Sequence, residues 1–293
     1  MTTLRYGQIQ RSAMNWPIYV ARETGLFDRH GITCTMEFFT SPLQAVEALA
    51  RGKLDVIHAI PDPVLKAIDA GERLSLIASV LTCPSYRLLA ASGIRAAAEL
   101  KGKRLAVNEM SSAESLLLQH FLRGQGFKIE EFNWVHAGPP VRRTQMMKAG
   151  DVDATMVSQP WDFLLLDAGC KVLYDSREVF PRFPFAVVVV SKNWAAAHEE
   201  EVVRFLRILQ ESRSWLQNPR NRDRAVSILC SFTGSEEKAA LQTYDYYFAG
   251  SGITSMEIDE EGITTILKLL DNSGAKPENY VNRSYLSKLE TSR

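Results

Sequence analysis

"GKLDVIHAIPDPVLKAIDAG" (52–71) and "GDVDATMVSQPWDFLLLDAG" (150–169) share one frame. Gly52, Asp55, Asp69, Ala70 and Gly71 recur as Gly150, Asp153, Asp167, Ala168 and Gly169, each displaced by 98 positions. Pro42 recurs as Pro140 at the same offset. Each stretch reads as a strand, a Pro-initiated helix and a closing glycine, which is the grammar of a βα unit.

Outward from these stretches the alternation continues. Strands are predicted at 4–10, 32–39, 54–60 and 74–80, with helices at 16–31, 42–52 and 62–71 between them. The second copy has strands at 102–108, 132–138, 152–158 and 170–176, with helices at 112–126, 140–150 and 160–169. Strand–helix alternation implies an α/β fold in which mostly parallel sheets are covered on both faces. Two such series in 293 residues predict two Rossmann-like lobes. The expected division is 1–88 plus 190–293 for lobe one and 89–189 for lobe two, with hinges near 86–92 and 185–191. Beyond Asn193 the pattern turns helical: "EEEVVRFLRILQESRSWLQN" (199–218) is amphipathic with acidic residues in its first turn. Further helices follow at 222–232, 235–250 and 260–274, then a tail expected to hold little structure.

Composition narrows the function. Thirty-four basic residues balance thirty-four acidic ones, so no surface for nucleic acid or an anionic membrane is expected. No apolar run reaches the length of a membrane span, the longest being "FPFAVVVV" (183–190). The four cysteines lie far apart and read as free, mostly buried thiols, with no metal-ligand spacing. No nucleotide-binding or zinc-protease motif occurs, and neither metal nor cofactor is expected. "MTTLRYGQIQ" has no signal-peptide core, which implies a cytoplasmic location, or a periplasmic one if a leader was replaced by Met1.

In a parallel α/β sheet, ligands collect outside the carboxyl ends of the strands, where helix N-termini offer unsatisfied N–H groups. A duplicated lobe therefore predicts two walls of one central ligand cleft.

"PIYVARETGLFDRHGITCTMEFFTSPLQAVEALARGKLDVIHA" (17–59) resembles the signature of the solute-binding proteins of the sulfonate, taurine, nitrate and thiamine-precursor group, whose pattern P-[LI]-Y-V-A-x-E-x-G-[LF]-F-x-x-x-G-[IL] leads to A-L-x-x-G-x-[LV]-D. "LKGKRLAVNEMSSAESLLLQHFLRGQGF" (100–127) and "VVVVSKNWAAAHEEEVVRFLRIL" (187–209) resemble its second-lobe and return segments. The resemblance implies a type II periplasmic-binding-protein fold that closes by hinge motion on a small molecule. It also implies a permease of an ABC-type uptake system as partner. The same superfamily holds enzymes. Pyrimidine synthases of thiamine biosynthesis carry a cysteine-rich stretch that is absent here. Sulfinate desulfinases use a first-loop cysteine where this chain reads "RSAMNWP". His58 near the third strand keeps open a rival reading, a lyase or decarboxylase with His58 as acid/base.

Candidate ligand contacts fall on the loops after the strands. In the first lobe these are Asn15, Trp16, Phe39, His58 and Pro61. Trp16 offers an apolar wall and one N–H, or else a core anchor. Asp62 reads as an N-cap followed by Pro63 at the first helical position. In the second lobe they are Ser111, Ser112, Ala113, Gly138, Arg142, Gln159 and Trp161. Ser111 and Glu114 form an S-x-x-E capping box, and the N–H groups of Ser112 and Ala113 could receive an acid. Arg142 and Arg143 read as solvated cations, one of them available to a ligand acid. With Phe183 added, the aromatic content of these loops favours an aromatic or apolar organic acid over nitrate or phosphate.

Overall fold

The computed structural model describes residues 2–9, 11–39, 41–82, 85–110, 112–179, 183–248 and 255–291. The chain forms two compact units, one of residues 1–83 with 182–293 and one of residues 84–181. Along the first unit run β1 (Thr2–Ile9), α1 (Trp16–Glu23), α2 (Leu26–Arg29), β2 (Ile32–Phe39), α3 (Pro42–Ala50), β3 (Val56–Ala59), α4 (Pro61–Asp69) and β4 (Leu74–Leu81). The second holds β5 (Arg87–Ala90), β6 (Arg104–Val107), α5 (Ala113–Gly124), β7 (Asn133–His136), α6 (Pro140–Ala149), β8 (Ala154–Val157), α7 (Trp161–Asp167), β9 (Lys171–Asp175) and α8 (Ser176–Val179). The chain returns to the first unit with β10 (Ala186–Ser191), α9 (Lys192–Ala197), α10 (Glu199–Gln217), α11 (Arg222–Thr233), α12 (Glu237–Phe248), α13 (Glu260–Leu269) and α14 (Ser284–Thr291).

The two sheets have the same plan. The first is ordered β2-β1-β3-β10-β4 and the second β7-β6-β8-β5-β9. In each, the fourth strand runs antiparallel to both neighbours: β10 between β3 and β4, β5 between β8 and β9. Residues 86–92 and 185–191, expected as hinges, are centred on interior strands bonded on both sides. The chain crosses between the units at 83–84 and 181–182, which lie outside the described residues. The strands β3, β4 and β10 are buried along almost their whole length, which is why "LSLIASVL" and "AVVVV" read as unbroken apolar runs.

The recurring residues have structural roles. Asp55 accepts from the backbone N–H of Arg5 at 2.7 Å and from its guanidinium at 2.5 and 3.1 Å. Asp153 treats Arg104 the same way, at 2.8 Å from the backbone and 3.0 Å from the guanidinium. Each clamp ties the second strand in the order of its sheet, β1 or β6, to the start of the third, β3 or β8. Gly52, Gly71, Gly150 and Gly169 all have φ between +69° and +100°, the left-handed region that glycine enters without a Cβ penalty. Pro42 and Pro140 open α3 and α6. At Gly7 the reason is space, since a Cβ there would stand 2.5 Å from Leu54 Cδ1 and 3.2 Å from Phe39.

Four expectations are corrected. The helix predicted over 16–31 is broken at Gly25, whose φ of +69° ends α1 and starts α2. The helix α4 opens at Pro61 after Ile60, so Asp62 lies inside its first turn, buried, and is not its cap. Of the three cysteines described, Cys170 is buried while Cys34 and Cys230 are partly exposed; Cys83 lies outside the described residues. The tail is built into the first unit. Leu76 N–H donates to the Tyr280 carbonyl and Asn282 N–H to the Leu76 carbonyl, making a parallel bridge beside β4. Tyr280 Oη donates to Asp69, and Leu286 and Leu289 of α14 are buried, with α14 packed on α10.

Candidate functional site

At the carboxyl ends of β1 and β3 a cluster of polar side chains is sealed from solvent. A short 3-10 turn, Ala13–Asn15, leads into α1 and places Asn15 inward, 1% exposed. Its Oδ1 accepts from Tyr6 Oη at 3.1 Å and from His58 Nδ1 at 3.2 Å. Because an amide oxygen only accepts, His58 carries its proton on Nδ1 and presents a lone pair at Nε2. Tyr6 Oη also reaches Gln8 Oε1 at 3.4 Å, and Gln8 Nε2 reaches Tyr19 Oη at 3.5 Å. The His58 ring meets Tyr6 edge-on at 5.1 Å and Phe205 at 6.4 Å.

Burial pushes the His58 pKa down to about 3, so the ring is neutral at pH 7. It is therefore not an imidazolium that could serve as a general acid, its one proton is held by Asn15, and as a base it is weak. Burial likewise holds the Tyr6 phenol well above its ordinary range. Within this cluster His58 Nε2 and Asn15 Nδ2 are buried without a partner. A buried amide N–H left unbonded costs about 1–3 kcal/mol, so Asn15 Nδ2 as a donor and His58 Nε2 as an acceptor each lack a bond that a polar group would supply.

Other predicted residues of this unit have different positions. Trp16 is 1% exposed, its indole N–H donates to the Ala225 carbonyl at 3.0 Å, and its ring packs edge-on against Tyr244 and Phe248. Its one donor is spent on the core, as the anchor alternative had it. Phe39 is half-buried over Gly7, and Pro61 and Phe183 are buried.

The strand ends of the second unit are charged. Arg143, expected in solvent, is 3% exposed: Nη1 donates to the Met156 carbonyl at 2.6 Å and Nη2 faces Glu114 Oε1 at 3.4 Å. A helix face read as solvated is here turned onto β8, with the guanidinium neutralised by a carboxylate. Glu114 thus serves an ion pair, and Ser112 stands at the N-cap position of α5 without a side-chain bond to the helix N–H groups. Ser112 Oγ donates to the Glu109 carbonyl at 2.7 Å and its N–H goes to the same carbonyl, so that N–H is not open to a ligand acid. Ser111 lies outside the described residues; Ala113 is the first residue of α5. Gly138 turns the chain between β7 and α6 with φ +75°, and Arg142 is exposed at the start of α6.

Gln159 follows β8, joined to Pro160 by a cis peptide bond. It is 1% exposed and its Nε2 donates to Asp162 Oδ2 at 2.8 Å. The same oxygen receives Arg87 Nη1 at 3.1 Å, and Arg87 Nε donates to Asp175 at 2.8 Å. Burial raises the Asp162 pKa to about 6 against the pull of Gln159 and Arg87. Trp161 is half-buried on the core formed by Val157, Leu165 and Met147. The structure thus joins Asn15 to His58 directly, and joins Gln159 to Arg87, Asp162 and Asp175, none of which was singled out. Tyr6 and Gln8 were missed as well. Their signal was a glutamine and a tyrosine at inward positions of a strand otherwise reading as core.

The model of the NMT1-like family matches residues 2–230. A candidate binding protein of Brucella abortus (strain 2308) is 25% identical over 242 residues, 82% of this chain and 73% of that one. The ligand-binding component of an ABC-type import system from Staphylococcus aureus, solved with zinc bound, superposes with a TM-score of 0.82 at 14% identity, covering 99% of both chains. The alkanesulfonate-binding protein SsuA from Xanthomonas axonopodis pv. citri, bound to MOPS, does so with a TM-score of 0.76 at 22% identity, covering 99% of this chain and 98% of that one. The fold is the type II periplasmic-binding-protein fold, as the resemblance implied.

Proposed function

The chain belongs to the NMT1-like family, and from that premise we propose that it is the ligand-binding component of an ABC-type import system, taking a small organic acid with an apolar or aromatic body. A permease is then its partner, and an exported location its place of work. The observation that carries this reading is two buried atoms without partners at the strand ends of the first unit, Asn15 Nδ2, a donor, and His58 Nε2, an acceptor. Ligands of α/β sheets gather at these ends, and a polar group brought there satisfies two atoms that the protein leaves unbonded. Asn15 and His58 are the leading contacts. Among the described residues, the polar and ring contacts of the neutral His58 are an amide, a phenol and a phenyl ring, a setting that supports binding over proton transfer.

Native mass spectrometry of the protein purified from its own host tests the reading. A small organic acid that co-purifies, rebinds unchanged and loses at least tenfold in affinity with His58→Ala or Asn15→Ala is the expected result. A bound compound that returns with a new mass after incubation sinks it.

A further inference from the structure

The core-facing stripe of α10 consists of Val202, Phe205, Leu206, Ile208, Leu209, Ser212, Arg213 and Leu216. Seven of these are apolar or small, and the eighth is an arginine. Arg213 is 6% exposed, and its Nη1 is buried with no hydrogen-bond partner. No carboxylate among the described residues lies within ion-pair distance of it, unlike the buried Arg143 with its Glu114. An unpaired buried cation is among the costliest features a core can carry, and methionine or leucine would fill the same position without that cost.

Beside it is a space. Arg213 lines a cavity of about 300 Å³ together with Gln210, Ser214 and Gln217 on the same helix, Ser255, Met256 and Glu257 across from it, and Leu286 and Leu289 of α14. The far wall is fixed, since Ser79 N–H of β4 donates to the Met256 carbonyl at 2.7 Å and Arg283 donates to the Ile258 carbonyl at 3.0 Å. Glu257, the one acidic residue on the lining, is largely exposed and faces Arg283 at 3.9 Å. The volume exceeds that of several waters, each of which occupies about 30 Å³ in the liquid.

We propose that this cavity is a second binding site, separate from the Asn15–His58 cluster, for a small organic anion whose acid group pairs with Arg213 and whose apolar end rests on Met256, Leu286 and Leu289. Gln210 and Ser214 stand one turn apart on the same face of α10 and add donors for the remaining oxygens. The guanidinium suits this role because its planar fork accepts a carboxylate or sulfonate bidentately. Burial lowers the Arg213 pKa to about 10, which still leaves it charged at pH 7.

The experiment follows the Met256 methyl resonance in the full chain carrying 13C-methyl methionine, titrated with butyrate, with its neutral isostere butyramide and with sulfate. Butyrate is expected to move Met256 saturably and at least tenfold more tightly than butyramide. Arg213→Met is expected to fold, since it removes an unpaired charge, and to abolish the shift; Arg213→Lys keeps part of it. Sulfate binding equal to or tighter than butyrate overturns the apolar half of the assignment. An unmoved Met256, or an equal response in wild type and Arg213→Met, overturns the site. Because Met256 reports locally, ligand bound at Asn15 and His58 does not imitate either result.

Discussion

The two units share a skeleton and differ in chemistry. Both sheets have the same strand order, the same antiparallel fourth strand and the same Asp–Arg clamp. Their strand ends are opposites: the first unit gathers neutral groups and leaves two of them unbonded, while the second gathers ions that neutralise one another. What the two units share is thus what holds each sheet together, and what differs lies at the strand ends. Recurrence within such a chain marks scaffold, and departure from recurrence marks the site.

The contrast is sharpest in acid. His58 has a folded pKa of about 3, below its unfolded value of about 6.5. The unfolded chain takes up that proton first, so stability contributed by the neutral ring is full above pH 6.5 and is lost as pH falls towards 3. The loss is on the order of 4 kcal/mol. Hydrogen exchange of peptides covering β3 should show this fall, and His58→Gln should flatten it. A wild-type profile no steeper than that of the variant breaks the comparison.

Next in size is the ion pair of the second unit. Arg143→Met leaves Glu114 buried and uncompensated, with an expected cost of about 3 kcal/mol in urea denaturation. Adding Glu114→Leu should restore most of it, since an apolar pair packs without desolvating charge. No recovery in the double variant would mean that the loss came from the Met156 carbonyl and not from the charge.

Asp162 titrates the other way from His58. Its folded pKa of about 6 stands above the unfolded value of about 3.9, so the folded unit holds a proton that the unfolded chain has released. The contribution is full below pH 4 and is lost as pH rises through 6, roughly 2 to 3 kcal/mol in all. Between pH 4 and 6 the two units should thus respond with opposite sign, and Asp162→Asn should remove the response from β8 peptides alone.

The smallest effect tests the shared part. Asp55 is 3% exposed, whereas the Asp153 side chain is 23% exposed. Asp55→Asn should cost about 1 to 2 kcal/mol, and Asp153→Asn measurably less because water screens its clamp. Equal costs would show that the backbone bond alone matters.

Much of this was legible in the sequence. The strand at 32–39 coincides with β2 residue for residue, and the 98-residue recurrence correctly announced two sheets of one plan. Periodicity reports burial along one element, which is why elements were recovered. It carries no information on which strands are neighbours, so the places of β5 and β10 inside the sheets were not legible. The tail was missed because a single bridge at Leu76 and Val281 leaves no period. At the site, Asn15 and His58 stood out as polar residues at strand ends and are bonded to each other. Arg143 and Arg213 did not stand out as buried, because an arginine reads as surface unless its partner or its cavity is known.

One feature of the first sheet also orders events during synthesis. Every strand of the second unit lies within residues 84–181, so that sheet can close as soon as its own segment has left the ribosome. The first sheet cannot, since β3 and β4 stay apart until β10 is made, more than a hundred residues after β4. The connectivity thus lets the inserted unit close on its own, whereas the first sheet holds β3 and β4 with open edges until β10 arrives between them.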